Sequence, residues 1–192
     1  ESVELNLLTA HENIIDRGNS IPTPVFVNAQ AIAGGKSLSK QTTTQIPVVL
    51  GIDETKIALL INGEKKILDP LNGQYIWPML SPDRTKLVAV EMDKGAFVCT
   101  IEGANVQRIG KCNAPSWTYD GKWIIGMDDR DDGHSIYASD IIAISPDGKR
   151  QYNLTVSFDG IALYPSCSTT ETKIVFTTID GGVFLLTYEE VQ

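Results

Sequence analysis

Four aspartates fall within five residues at Asp128, Asp129, Asp131 and Asp132, and Gly133-His134 follow directly. Carboxylate oxygens at that density are the hard ligands Ca2+ takes. An imidazole beside them can exchange protons near neutral pH. The spacing departs from an EF-hand loop. Asp128, Asp132 and Gly133 fit positions one, five and six, but Arg130 stands at three and Ser139 at twelve. Arg130 can instead neutralise its neighbours. The stretch then reads as a solvated loop, or as a recognition loop on a rigid scaffold. Asp128, Asp129, Asp131, Asp132 and His134 are the candidate metal ligands, with Ca2+ the ion they suit; no other cofactor is expected. Arg130 and His134 are also candidates for contact with a partner.

Elsewhere the chain is poor in catalytic groups. His11 is the only other histidine, and no GxSxG elbow exists for a serine nucleophile. Gly34-Gly35-Lys36-Ser37 ends like a phosphate loop, but Gln30 stands where the first glycine is required, so a hairpin tip is the plainer reading. The three cysteines lack CxxC spacing, and two histidines leave zinc without ligands. Cys99 sits in the apolar run Phe97–Ile101, Cys167 takes a core position, and a Cys99–Cys112 disulfide stays open. No catalytic residue is assigned. Trp77, Trp117 and Trp123 suggest a carbohydrate platform on one reading and packing on another. Trp117 and Trp123 recur at core positions of a repeat, whereas Trp77 precedes a proline and is the tryptophan expected to meet a ligand.

The elements that position these residues repeat. Pro78-Met79-Leu80-Ser81-Pro82-Asp83-Arg84-Thr85-Lys86-Leu87-Val88 has sister stretches beginning at Pro115 and Pro165 and a weaker copy at Val48–Leu60. Each has a short apolar strand, a turn with Asp or Glu and Lys, and a run of β-branched residues suited to a strand buried on both faces. The proline is expected at the start of its strand, ahead of the ladder. The turn lysines Lys56, Lys86, Lys122 and Lys173 are 30, 36 and 51 residues apart. Several short strands repeating at roughly 40 residues signal a β-propeller.

Ser81-Pro82-Asp83 with Lys86-Leu87, Tyr119-Asp120-Gly121-Lys122 and Ile144-Ser145-Pro146-Asp147-Gly148-Lys149 resemble the Ser-Pro-Asp-Gly-Lys repeat of TolB-like β-propellers. The resemblance covers about residues 46–188. It departs at Arg84-Thr85, which replaces the turn glycine, and at Thr169-Thr170-Glu171. The fold class expected is all-β: a TolB-like propeller of four or five blades forming one domain over 1–192. Blade-like units are read at about 9–45, 46–75, 76–112, 113–162 and 163–188. The last unit lacks an outer strand, and the alternating Val3–Leu8 is expected to supply it and close the propeller. The first repeat has almost no room for a fourth strand. Asn62-Gly63 marks a two-residue hairpin.

The 192 residues carry 24 acids against 16 bases, a net charge of −8. There is no basic stripe, so nucleic acid is excluded as a partner class. A cationic partner is the one such charge would steer. No apolar run reaches the ~18 residues a span requires. Beginning at Glu1 rather than Met is compatible with processing of a secreted protein. The resemblance implies a non-enzymatic scaffold for a protein or peptide, periplasmic or extracellular in a bacterium. It also implies an alternative: a substrate-gating or catalytic propeller of a peptidase or sugar lyase system. The peptidase version needs a hydrolase domain and the lyase version a histidine-rich metal centre.

Overall fold

The computed structural model describes the strand Glu4–Leu7 and residues 46–191. The fold is all-β, and no helix occurs among the described residues. Strand β1 (Glu4–Leu7) stands apart in sequence. Then come β2 (Val48–Asp53), β3 (Lys56–Ile61) and β4 (Glu64–Leu68), and next β5 (Tyr75–Leu80), β6 (Lys86–Glu91), β7 (Gly95–Thr100) and β8 (Gln107–Gly110). A third group is β9 (Asn113–Trp117), β10 (Ile124–Asp131), β11 (Ile136–Ile144) and β12 (Gln151–Asn153). The last is β13 (Ala162–Cys167), β14 (Lys173–Thr178) and β15 (Val183–Val191).

These strands make four antiparallel sheets, each a meander that starts from one edge strand: β2-β3-β4, β5-β6-β7-β8, β9-β10-β11-β12 and β13-β14-β15-β1. The N-terminal strand therefore does complete the last sheet, with Leu7 opposite Tyr188. Sheets follow one another through β2, β5, β9 and β13, which pack side by side as the inner strands. The result is a β-propeller arc of four blades that is not closed among the described residues. The unit read at 9–45, with His11 and Gly34–Ser37, lies outside the described residues. The first blade has three strands, as its length dictates. Its Asn62-Gly63 turn has φ of 53° and 80°, the left-handed pair that a two-residue hairpin requires.

Blade-to-blade packing makes the core. Ile57, Leu59, Leu87 and Phe97 fill the first interface. Val88, Val98, Ile124 and Ile142 fill the second, and Ile125, Ile141, Ile174 and Phe176 the third. The middle strands β6, β10 and β11 are buried on both faces, which is why they read as continuous apolar runs. Trp117 and Trp123 are buried, and the Arg150 guanidinium lies 4.6 Å from the Trp123 ring centroid.

The recurrent Ser/Thr-x-Asp is a hairpin staple. Ser81 Oγ donates to Asp83 Oδ1 (2.6 Å) and accepts from the Lys86 amide (3.0 Å), while Asp83 accepts from the Thr85 amide (3.1 Å). Thr118 and Asp120 repeat this with the Trp123 and Lys122 amides. Ser145 and Asp147 do so at the outer hairpin of the third blade. Thr178 donates to Asp180 in the fourth. The Ser81 hydroxyl first, and the Thr85 amide next, hold Asp83 below the usual aspartate range. Ser145 and Thr178 do the same for Asp147 and Asp180. Burial pushes Asp120 up, but its hydroxyl, amide and Lys122 partners together outweigh this and the net direction is down.

Two expectations follow. Thr118→Ala, which strips the fully buried hydroxyl of its staple, should lower unfolding free energy by about 1–3 kcal/mol in urea. Carboxylates lowered in the folded state stabilise it fully above their unfolded values, and that contribution is lost as pH falls through the lowered ones. Urea midpoints should therefore decline below about pH 4, and Asp83→Asn should flatten that decline; an unchanged acid limb would count against the staples.

Candidate functional site

Three inner strands carry the same backbone defect. Trp77, Ala114 and Tyr164 have φ of 51°, 47° and 49°, and each precedes a proline, Pro78, Pro115 or Pro165. The ladder register shifts there, between Ile76 and Met79 opposite β6 and between Leu163 and Ser166 opposite β14. On the third blade the shift falls between Ile125 and Met127. The prolines are thus inside their strands, not ahead of them, which corrects the placement read from the sequence. A bulge on an edge strand is where a residue without an N–H is tolerated. The first blade makes its register shift with Gly51, φ 117°. A non-glycine residue in the left-handed region costs on the order of 1–3 kcal/mol.

Two of the strained residues are aromatic and uncovered: Trp77 is 39% exposed and Tyr164 54%. Val48, Leu50, Ile52 and Met79 are also exposed on inner strands. Trp77, the tryptophan read from the sequence as a ligand contact, lies on the inner strand of its blade.

The C-terminal ends of the inner strands are tied together. Trp117 Nε1 donates to Met79 O (3.2 Å), and the Cys167 amide donates to Ser116 Oγ (3.0 Å). A cleft of about 490 Å3 opens there, lined by Met79, Pro82, Arg84, Trp117, Tyr119 and Ser166 among others. Arg84 is pinned by a 2.6 Å bond from Nη1 to Pro47 O. No local sequence signal marks this cleft, because its lining residues belong to repeat turns and inner strands of different blades. All three cysteines are free, so the Cys99–Cys112 pair is not formed. Burial pushes the Cys167 and Cys99 thiols up to about 11 and Cys112 up to about 12, leaving them protonated at neutral pH.

The acidic stretch is mostly strand, not loop. Asp128–Asp131 end β10, and only 132–135 form the turn before β11. Successive strand side chains face opposite ways, so adjacent aspartates diverge. Asp128 lies 3.8 Å from Lys111. Asp129 is buried and accepts from Asn113 Nδ2 at 2.8 Å, with Ser139 as its cross-strand partner. Asp131 Oδ1 accepts the Gly133 amide (2.9 Å), and Asp132 Oδ1 those of His134 and Ser135 (2.9 and 2.8 Å). The Ser135 and His134 amides hold Asp132 below the usual range. Arg130 and His134 are exposed on the hairpin. Among the described residues no three His, Cys, Asp or Glu side chains are grouped to hold an ion. Asp131 and Asp132 shore up their own turn, while Asp128 and Asp129 meet Lys111 and Asn113 of the neighbouring chain segment.

No family model matches the chain, and no curated protein matches it either. Solved structures do. A structure assigned to TolB from Agrobacterium tumefaciens aligns with a TM-score of 0.50 and 18% identity, over 70% of this chain and 55% of that one. The β-propeller domain of Cps50 (Swd1) from Myceliophteria thermophila aligns with a TM-score of 0.52 at 7% identity, over 77% of this chain and 51% of that one. A chain of the nidogen/laminin complex gives 0.51 at 14%, over 72% and 54%. The chain thus spans about half the length of these structures. The likeness shows a TolB-like propeller fold.

Strain at Trp77 makes an unusual prediction. Glycine in a strand normally destabilises by roughly 0.5–1 kcal/mol, yet Trp77→Gly should unfold in urea no earlier than wild type, because the left-handed backbone is released. An earlier transition would show that the ring's packing outweighs the strain. Adding Ca2+ or EDTA should leave the melting temperature unchanged; a Ca2+-dependent rise lost in Asp132→Asn would restore the metal reading.

Proposed function

We propose that this chain is a non-enzymatic binding scaffold that holds a protein or peptide on its inner strands, in the bacterial envelope or outside the cell. One observation carries the reading: exposed aromatic side chains, Trp77 and Tyr164, sit on equivalent strained bulges of different blades. Core packing does not require an uncovered Trp at a costly φ. Strain of this kind collects at ligand-contact positions, and Trp and Tyr are the side chains that dominate binding energy at interfaces. The cleft at the far end of the same strands extends the contact surface.

The state of the thiols and of His134 across the described residues supports binding over turnover. The thiols are held protonated. His134 stands exposed at a hairpin tip whose carboxylates accept backbone amides. The envelope or extracellular setting rests on the TolB-like fold and the Ser-Pro-Asp repeat. A chain of the nidogen/laminin complex, itself a protein–protein assembly, is similar in structure; the fold alone assigns no partner here.

Selecting binders from a displayed random peptide library against the purified chain tests this. Selected peptides should lose about 2 kcal/mol of binding, roughly thirtyfold, on Trp77→Ala, and less on Val156→Ala at an exposed position away from the inner strands. Cleavage of peptides or uronate oligosaccharides by the chain, abolished by His134→Ala, would overturn the non-enzymatic reading.

A further inference from the structure

Between the third and fourth blades the segment Phe158–Ile161 faces the turn Thr178–Phe184 across a cleft of about 530 Å3. Its wall is aromatic. Phe158 meets Phe184 edge-on at 4.9 Å and Phe176 at 5.3 Å, and Phe176 stacks on Phe184 at 5.4 Å. Phe176 is buried, while Phe158 and Phe184 are half-buried; Ile179 beside them is exposed.

Two glycines let the rings lie against backbone. A Cβ on Gly160 would stand 2.6 Å from Phe158 Cε1, and one on Gly182 would stand 2.8 Å from Phe184 Cε2 and 2.6 Å from Thr178 Oγ1. The ionisable groups lining the cleft are both acids, Asp159 and Asp180, and neither lysine nor arginine lines it. Asp180 Oδ1 takes the Thr178 hydroxyl. Asp159 makes no hydrogen bond or ion pair among the described residues. Apolar walls with a few convergent polar groups make a ligand site, and an aromatic face beside uncompensated carboxylate selects an organic cation over a neutral or anionic group.

We propose that this inter-blade cleft binds an organic cation with an apolar stem, of the kind an arginine or lysine side chain presents: the stem lies along Phe158, Phe184 and Ile179, and the charge meets Asp159. The site borders the start of inner strand β13, and neither Trp77 nor Tyr164 lines it. It gives the chain's charge of −8 a local use.

Binding can be read by NMR titration of the full chain with acetyl-Gly-Arg-Gly amide, with n-butylammonium, and with the norleucine analogue of the peptide. The expected result is saturable shifts at Phe158 and Ile179 with the arginine peptide, weakened roughly tenfold by Asp159→Asn and unaffected by Trp77→Ala. Binding of n-butylammonium with the same dependence supports the site and identifies a free ammonium as sufficient. Asp159 is exposed, so its substitution leaves folding intact; Ile179→Ala supplies a second variant, also expected to weaken binding. Equal binding of the norleucine peptide, indifference to Asp159→Asn, or no saturable shift with any probe would overturn the proposal.

Discussion

Each blade depends on turning a strand back on itself at a fixed register. Where the turn carries Ser or Thr two residues before Asp, one hydroxyl does this by acting in both directions. It donates to the carboxylate and accepts from the amide five residues on, while the carboxylate takes a second amide inside the turn. Hydrogen bonds to a charged acceptor are stronger than neutral ones, and here they close a short turn between adjacent strands. A one-residue slip would turn every buried side chain of β6 or β10 to the wrong face. The staples therefore specify the core as well as the turn.

Blade interfaces add a second layer of constraint. The link from β4 to β5 is held by Tyr75, whose hydroxyl donates to Asp69 (2.7 Å), and by Lys56, which bonds Asp69 and the Gly73 carbonyl. Close by, the buried Glu91 is paired with Lys94 and Arg108, and the Lys94 ammonium first among them holds its carboxyl low. Gly73 sits against that carboxylate so closely that a Cβ would stand 2.5 Å from Glu91 Oε1. Polar groups at these joints are satisfied, so the sheets meet without leaving a buried charge unpaired.

The inner strands show what such a scaffold permits. Bulges at Trp77, Ala114 and Tyr164 are held in an unfavourable region because the ladder on either side is fixed by staples and packed middle strands. Strain of this order survives only where the surroundings over-determine the backbone. The bulges place aromatic side chains on the inner edge of the arc, where the Trp117 and Ser116 bonds tie neighbouring blades.

Much of the fold was legible because its causes are local. Period, turn residues and β-branched runs specify strands, hairpins and a propeller class, and the three-strand first blade follows from the few residues between Gly73 and Pro78. The alternation in Glu4–Leu7 marks a strand that the last blade needs. The site was less legible. The four aspartates at 128–132 look like a cluster along the chain, but strand alternation turns neighbours to opposite faces, Asn113 binds Asp129, and turn amides bind only Asp131 and Asp132, which spacing alone does not reveal. The proline placement failed for a related reason: a bulge is a relation between two strands and leaves little trace in one. The inner-strand cleft and the Phe158–Phe184 pocket each draw residues from different blades. Sequence by itself determined the repeat and its turn chemistry, because hydroxyl, carboxylate and amide lie within a few residues of one another. Only the tertiary structure decided which side chains stay uncovered between blades, because exposure depends on neighbours that are distant in the chain.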